Sequence, residues 1–159
     1  ATDILGNVYK VQDSGLKHSI QANALLYKAM SMGTLALYWK DQPENPGPNA
    51  KFITREAALQ NAISLLRKAL PLSNSVPTAF AVVFDTLINV RNSVLALSAR
   101  YHLMLGNYDS AFAKASQVDL TKKSAYFYNT TNQNPLYRSA FTNANGYLPK
   151  KNFGLTDTL

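Results

Sequence analysis

Residues Leu95 to Leu120, LALSARYHLMLGNYDSAFAKASQVDL, read as a helix, a short turn and a second helix. Ala99 lies on the first helix, Gly106 closes it, Tyr108 follows the turn and Ala111 opens the second helix. Small residues therefore stand where two antiparallel helices must touch. Asn107 is placed to cap the second helix, and Asp109 puts negative charge in its first turn, where the helix dipole favours it. A hairpin of this kind cannot bury its apolar face alone, so the pattern predicts a helical stack whose surfaces bind something.

The order of small residue, glycine, tyrosine and alanine follows the consensus of the tetratricopeptide repeat (TPR). Working upstream, Val90, Val94, Leu97, Tyr101, Met104 and Leu105 recur at helical spacing on one face, and Asp85 is the candidate cap. Phe80, Val82 and Phe84 alternate like a short extended segment, in a connector bracketed by Pro71 and Pro77. Before it, Thr54 caps a helix from Arg55 to Leu70 whose Ala62, Leu66 and Ala69 form the packing stripe. Asp41 to Phe52, DQPENPGPNAKF, carries prolines and a glycine and reads as a loop. Ala22, Leu25, Leu26, Ala29, Gly33, Ala36 and Leu37 then define one face of a helix from about Lys17 to Lys40. Gly33 in its middle costs about 1 kcal/mol relative to alanine, a cost most easily offset by a partner helix packed close at that point.

These elements predict an all-α fold of TPR-like helical hairpins, an α-α superhelix, with a long irregular C-terminal segment. The first hairpin spans about 17–70, the second about 86–120 and the irregular tail 121–159. Residues 1–16 form a lead-in with Ser14-Gly15 as a breaker. One TPR-like domain over 1–159 is the expectation, and the chain reads as a segment of a longer protein.

At 159 residues and 47% hydrophobic the chain can bury a sizeable core. No stretch approaches the roughly 20 apolar residues of a membrane helix. The absence of cysteine rules out disulfides, thiol catalysis and cysteine-ligated metal within these residues. The net charge of +7 is dispersed rather than gathered into a phosphate-tracking stripe, so no nucleic acid is expected as a partner.

Catalytic constellations are missing. His18 and His102 stand far apart with no carboxylate at metal-ligand spacing, and HExxH, CxxC and GxSxG do not occur. Most acidic residues fall in loops or helix starts, where capping and dipole effects account for them. No enzymatic activity, no catalytic residue, no metal and no cofactor is expected. The one polar-aromatic constellation is in the tail, where Tyr126, Phe127, Tyr128, Asn129, Asn132, Asn134 and Tyr137 combine flat rings with amide donors and acceptors. Such a set suits sugar rings, with their CH faces and hydroxyl edges. The other reading, and the one favoured here, is that the aromatics cover the end of a helical stack while the asparagines make turns. Trp39, beside the proline-rich loop, has the same two readings. The candidate ligand-binding set is Trp39, Tyr126, Tyr128, Asn129, Asn132 and Tyr137.

Taken in order, ANALLYKAMSMGTLALYWKDQPENP, TREAALQNAISLLRKALPL, VRNSVLALSARYHLMLGNYDSAFAKASQVDL and KKSAYFYNTTNQNPLY resemble successive blocks of the SusD/RagB family. The most specific parts are Ala96 to Tyr101 with Gly106-Asn107-Tyr108, and Asn134-Pro135-Leu136 after the aromatic run. The resemblance implies a non-catalytic protein on the extracellular face of the outer membrane that captures glycans or other nutrients. It implies a SusC-like, TonB-dependent transporter as partner and a lipid anchor outside this segment. The paired helices would then be scaffold and transporter-facing surface, with ligand contact mostly outside this segment. The competing expectation is a free-standing TPR scaffold that binds a protein partner.

Overall fold

The computed structural model describes residues 1–45, 47–74, 88–125, 128–129 and 131. Ala1–Ala125 make one unit and Tyr126–Leu159 another. The described part of the first unit is mostly helical, with one small sheet.

A short helix α1, Thr2–Asn7, and a 3-10 turn, Val8–Lys10, lead into α2, Ser14–Tyr38. Ser14 and Gly15, expected to break the chain, form the first turn of α2 instead. The reason is Asp13, whose side chain accepts from the Leu16 N–H at 2.6 Å and so satisfies one of the open donors of that turn. The buried face of α2 carries Ala22, Leu25, Leu26, Ala29, Gly33 and Ala36 as expected, together with Ser19 and Ala24. Leu37, expected on that face, is exposed.

The chain leaves α2 at Trp39 in an extended conformation. The segment expected to be a loop holds a two-stranded antiparallel sheet, β1 Asp41–Pro43 and β2 Phe52–Thr54, with Gln42 opposite Ile53. Gln42 is only 2% exposed and its Nε2 donates to the Met32 carbonyl at 3.2 Å. That bond ties the sheet to the last turns of α2. The Arg55 N–H donates to the Lys40 carbonyl at 2.8 Å, so α3 begins where α2 ends.

Helix α3, Arg55–Leu72, is capped by Thr54, whose Oγ1 accepts from the Ala57 N–H at 3.2 Å. Its buried stripe of Ala58, Leu59, Ala62, Leu66 and Ala69 packs back along α2, which makes the pair antiparallel. Burying a leucine such as Leu59 or Leu66 contributes about 1.5–3 kcal/mol each. The alanines let the two backbones approach. The helix runs past Pro71, expected to mark its end. A proline in the final turn removes a single backbone bond, and the Ser73 N–H donates to the Ala69 carbonyl at 3.1 Å beyond it.

Pro77, Phe80, Val82, Phe84 and Asp85 lie outside the described residues. The next helix, α4, spans Val90–Met104 and is capped by Asn89, not by Asp85; the Asn89 side chain accepts from the Asn92 N–H at 2.9 Å. Val94 and Tyr101 join the core formed by α2 and α3. Tyr101 lies across Gly33: a Cβ built on that glycine would fall inside the contact radius of the Tyr101 ring. The Tyr101 hydroxyl donates to the Ala29 carbonyl at 3.3 Å. The partner helix that the mid-helix glycine called for is therefore α4.

Helix α4 ends in a Schellman turn. The Asn107 N–H donates to the His102 carbonyl at 2.9 Å and the Gly106 N–H to Leu103 at 3.0 Å, with Gly106 at φ +75°. Helix α5, Tyr108–Ala115, then packs on α4 with Ala111 as its buried residue. Asn107 occupies the cap position of α5, but its side chain makes no capping bond; its carbonyl accepts from the Ala111 N–H. Ala99, expected at the α4 contact, is half-buried, and Ser98 beside it is buried.

The chain after α5 returns to the start of α4. Asn92 Nδ2 donates to the Asp119 carbonyl at 2.6 Å, and the Asp119 N–H donates back to Asn92 Oδ1 at 2.9 Å. The Asn89 N–H donates to Ser124 Oγ at 3.0 Å.

Candidate functional site

The end of α2 presents an aromatic pair to solvent. Tyr38 is 74% exposed and Trp39 56% exposed. Their ring centroids are 5.9 Å apart at an interplanar angle of 70°, an edge-to-face pair. The helical run of α2 stops at Tyr38, and the extended backbone at Trp39 turns the next side chain out of the helix face. Two adjacent rings in this setting offer apolar faces and an indole N–H donor, the features that grip a sugar ring. Tyr38 is not one of the sequence candidates; its position beside Trp39 is the signal that marks it.

A second feature is a polar cleft of about 240 Å³ between α2, α3 and the sheet loop. Helix α2 supplies Lys28 and Met32, one turn apart. Helix α3 supplies Asn61, Ser64, Leu65 and Lys68, the stripe next to its buried one. Glu44 and Asn45 come from the loop after β1. Sequence reasoning missed this cleft because its residues come from three elements and none forms a motif along the chain.

A third surface lies at the α4–α5 turn, where Leu103, Tyr108 and Phe112 are exposed, Phe112 at 77%. Tyr108 and Phe112 are one turn apart on α5, while Ala111 faces α4.

Two titratable groups outside the cleft, His102 and Asp119, are shifted by their surroundings. His102 is half-buried and its Nδ1 has no hydrogen-bond partner. Burial, with Lys114 nearby, pushes its pKa down and favours the neutral ring. The Asp119 carboxyl is held below its usual range by hydrogen bonds from the Thr121 side chain and backbone. Among the described residues no group of three or more His, Cys, Asp or Glu could hold a metal ion. No helix among them is long and apolar enough to cross a membrane.

Of the residues singled out in the tail, Tyr128 and Asn129 are exposed, and Asn129 Oδ1 accepts from the Thr131 N–H at 2.9 Å, as in an Asx turn. Tyr126, Asn132 and Tyr137 lie outside the described residues. Comparison with protein-family models, with curated proteins and with solved structures returned no match.

Proposed function

We propose that this chain is part of a non-catalytic, SusD-like nutrient-binding protein at the outer face of an outer membrane. Its TPR-like hairpins serve as scaffold and as the surface that meets a SusC-like transporter. The ligand is an oligosaccharide, and a lipid anchor outside this segment holds the protein at the membrane. The ordered blocks of sequence that resemble the SusD/RagB family motivate the reading. The observation that carries the binding role is the Tyr38–Trp39 pair, two large rings left largely exposed by helix packing.

Calorimetric titration with neutral and acidic oligosaccharides, with product analysis, tests this. Saturable binding without cleavage is expected, and Trp39→Ala should weaken it by about 2 kcal/mol, the loss of a hot-spot anchor. Unchanged affinity in Trp39→Ala, or hydrolysis abolished by one Asp or Glu substitution, refutes the proposal. The exposed Leu103, Tyr108 and Phe112 favour a second reading, a free-standing TPR scaffold that docks a protein partner on α5. Under that reading no oligosaccharide binds.

A further inference from the structure

The cleft between α2, α3 and the sheet loop has a chemistry distinct from that of the aromatic pair. Lys28 and Lys68, from neighbouring helices, line one concavity together with a single carboxylate-bearing residue, Glu44. Its formal charge is therefore positive, and an anionic group is favoured there over a neutral one. Asn45, Asn61 and Ser64 add amide and hydroxyl groups that both donate and accept. Met32 and Leu65 supply the apolar contribution.

We infer that this cleft is a subsite for the carboxylate-bearing ring of an acidic sugar, a uronate within an oligosaccharide. The two ammonium groups take the carboxylate, in charge-assisted hydrogen bonds stronger than those to a neutral hydroxyl. Glu44, Asn45, Asn61 and Ser64 take the ring hydroxyls, and Met32 and Leu65 meet the ring's CH face. At about 240 Å³ the cleft is smaller than the roughly 300–1,000 Å³ of sites that enclose drug-sized ligands, which limits it to about one ring. The inference rests on the oligosaccharide-binding proposal and adds the class of sugar.

The test is titration of the chain with digalacturonate, galactobiose and acetate, followed by calorimetry and by amide chemical shifts. Digalacturonate should bind more tightly than galactobiose and shift the amides of Asn61 to Lys68. Lys28→Gln and Lys68→Gln should each weaken it about tenfold, the effect of losing one charge-assisted hydrogen bond, and leave galactobiose unaffected. Asn61→Asp, an exposed substitution that sets a repelling charge beside the carboxylate, should weaken digalacturonate by a larger factor than galactobiose, whose hydroxyls lose only the amide. Equal affinity for galactobiose, or indifference of digalacturonate to all three substitutions, overturns the inference while the oligosaccharide proposal stands. Acetate that binds as tightly as digalacturonate overturns it too, since the cleft then recognises a bare anion. Binding of neither sugar overturns both.

Discussion

Replacing Gly33 by alanine sets two helix rules against each other. Alanine is about 1 kcal/mol better than glycine in a helix interior, so propensity alone says that Gly33→Ala stabilises α2. Packing says the reverse, because the new methyl would meet the Tyr101 ring at Cζ, Cε1 and the hydroxyl oxygen. The ring belongs to a residue only 2% exposed, so it has little room to move. Overpacking a filled site costs about 1–3 kcal/mol. Displacing the ring also breaks the bond from the Tyr101 hydroxyl to the Ala29 carbonyl and strands a buried hydroxyl, which costs about 1–3 kcal/mol more. After the propensity gain, a net loss of about 1–5 kcal/mol remains, and at about 2–4 °C per kcal/mol for a chain of this length the midpoint falls by several degrees. Thermal and urea unfolding followed by circular dichroism measure it. Gly6→Ala is the control: Gly6 is in α1 with nothing within 4 Å of an added Cβ, so that variant should hold or gain stability. A Gly33→Ala protein that melts at or above the parent, beside an unharmed control, would refute the packing of α4 across α2.

Three other parts of the fold have measurable consequences. Gly106→Ala should destabilise by about 1–2 kcal/mol in urea unfolding, because the left-handed backbone at φ +75° penalises any Cβ although nothing lies within 4 Å of it; a neutral result would mean the Schellman turn is not formed. Burial pushes the Tyr101 phenol from 10.0 up to about 12, so folding favours its neutral form: that stability is full below pH 10 and is lost as pH rises from there through about 12. Tyr101→Phe should remove this part of the alkaline loss, and urea midpoints at pH 9 and pH 11.5 that fall equally in both proteins would contradict it. Asn92→Ala should release the segment from Asp119 to Ser124, read as faster hydrogen exchange at the Asp119 amide and faster tryptic cleavage after Lys122 and Lys123; parental rates would show that the reciprocal Asn92 bonds do not hold it.

What sequence made legible was whatever has a period or a special backbone demand. The stripes of α2 and α3 repeat at helical spacing, Gly33 marked a close approach and Gly106 a turn, and each is found in that role. What escaped had neither. Strands of three residues are too short to show alternation, so the β1–β2 pair reads as loop in the sequence. Ser14-Gly15 looked like a break because a breaker and a first turn share composition, and only the Asp13 cap separates them. Asn89, rather than the acidic Asp85, starts α4, a choice between cap formers that local pattern does not decide. The site was less legible than the fold. Trp39 could be named as an isolated aromatic, whereas the cleft depends on Lys28, Glu44 and Lys68 meeting from separate elements.

The return of the chain to the start of α4 bears on how α5 survives at all. Eight residues with one buried side chain fall well short of the roughly 12–15 needed for a helix to persist in water. Its persistence depends on anchorage at both ends, by the Schellman turn before it and by the Asn92 bonds to Asp119 after it, which link positions 27 apart in sequence. Because the α4–α5 hairpin has already brought those positions together, this second anchorage requires little further loop-closure entropy. An element pinned in this way does not fray residue by residue. The turn, α5 and the anchored segment form a closed circuit with the first turn of α4, and they should open and close as one cooperative unit, with a common exchange rate distinct from that of the α2–α3 pair.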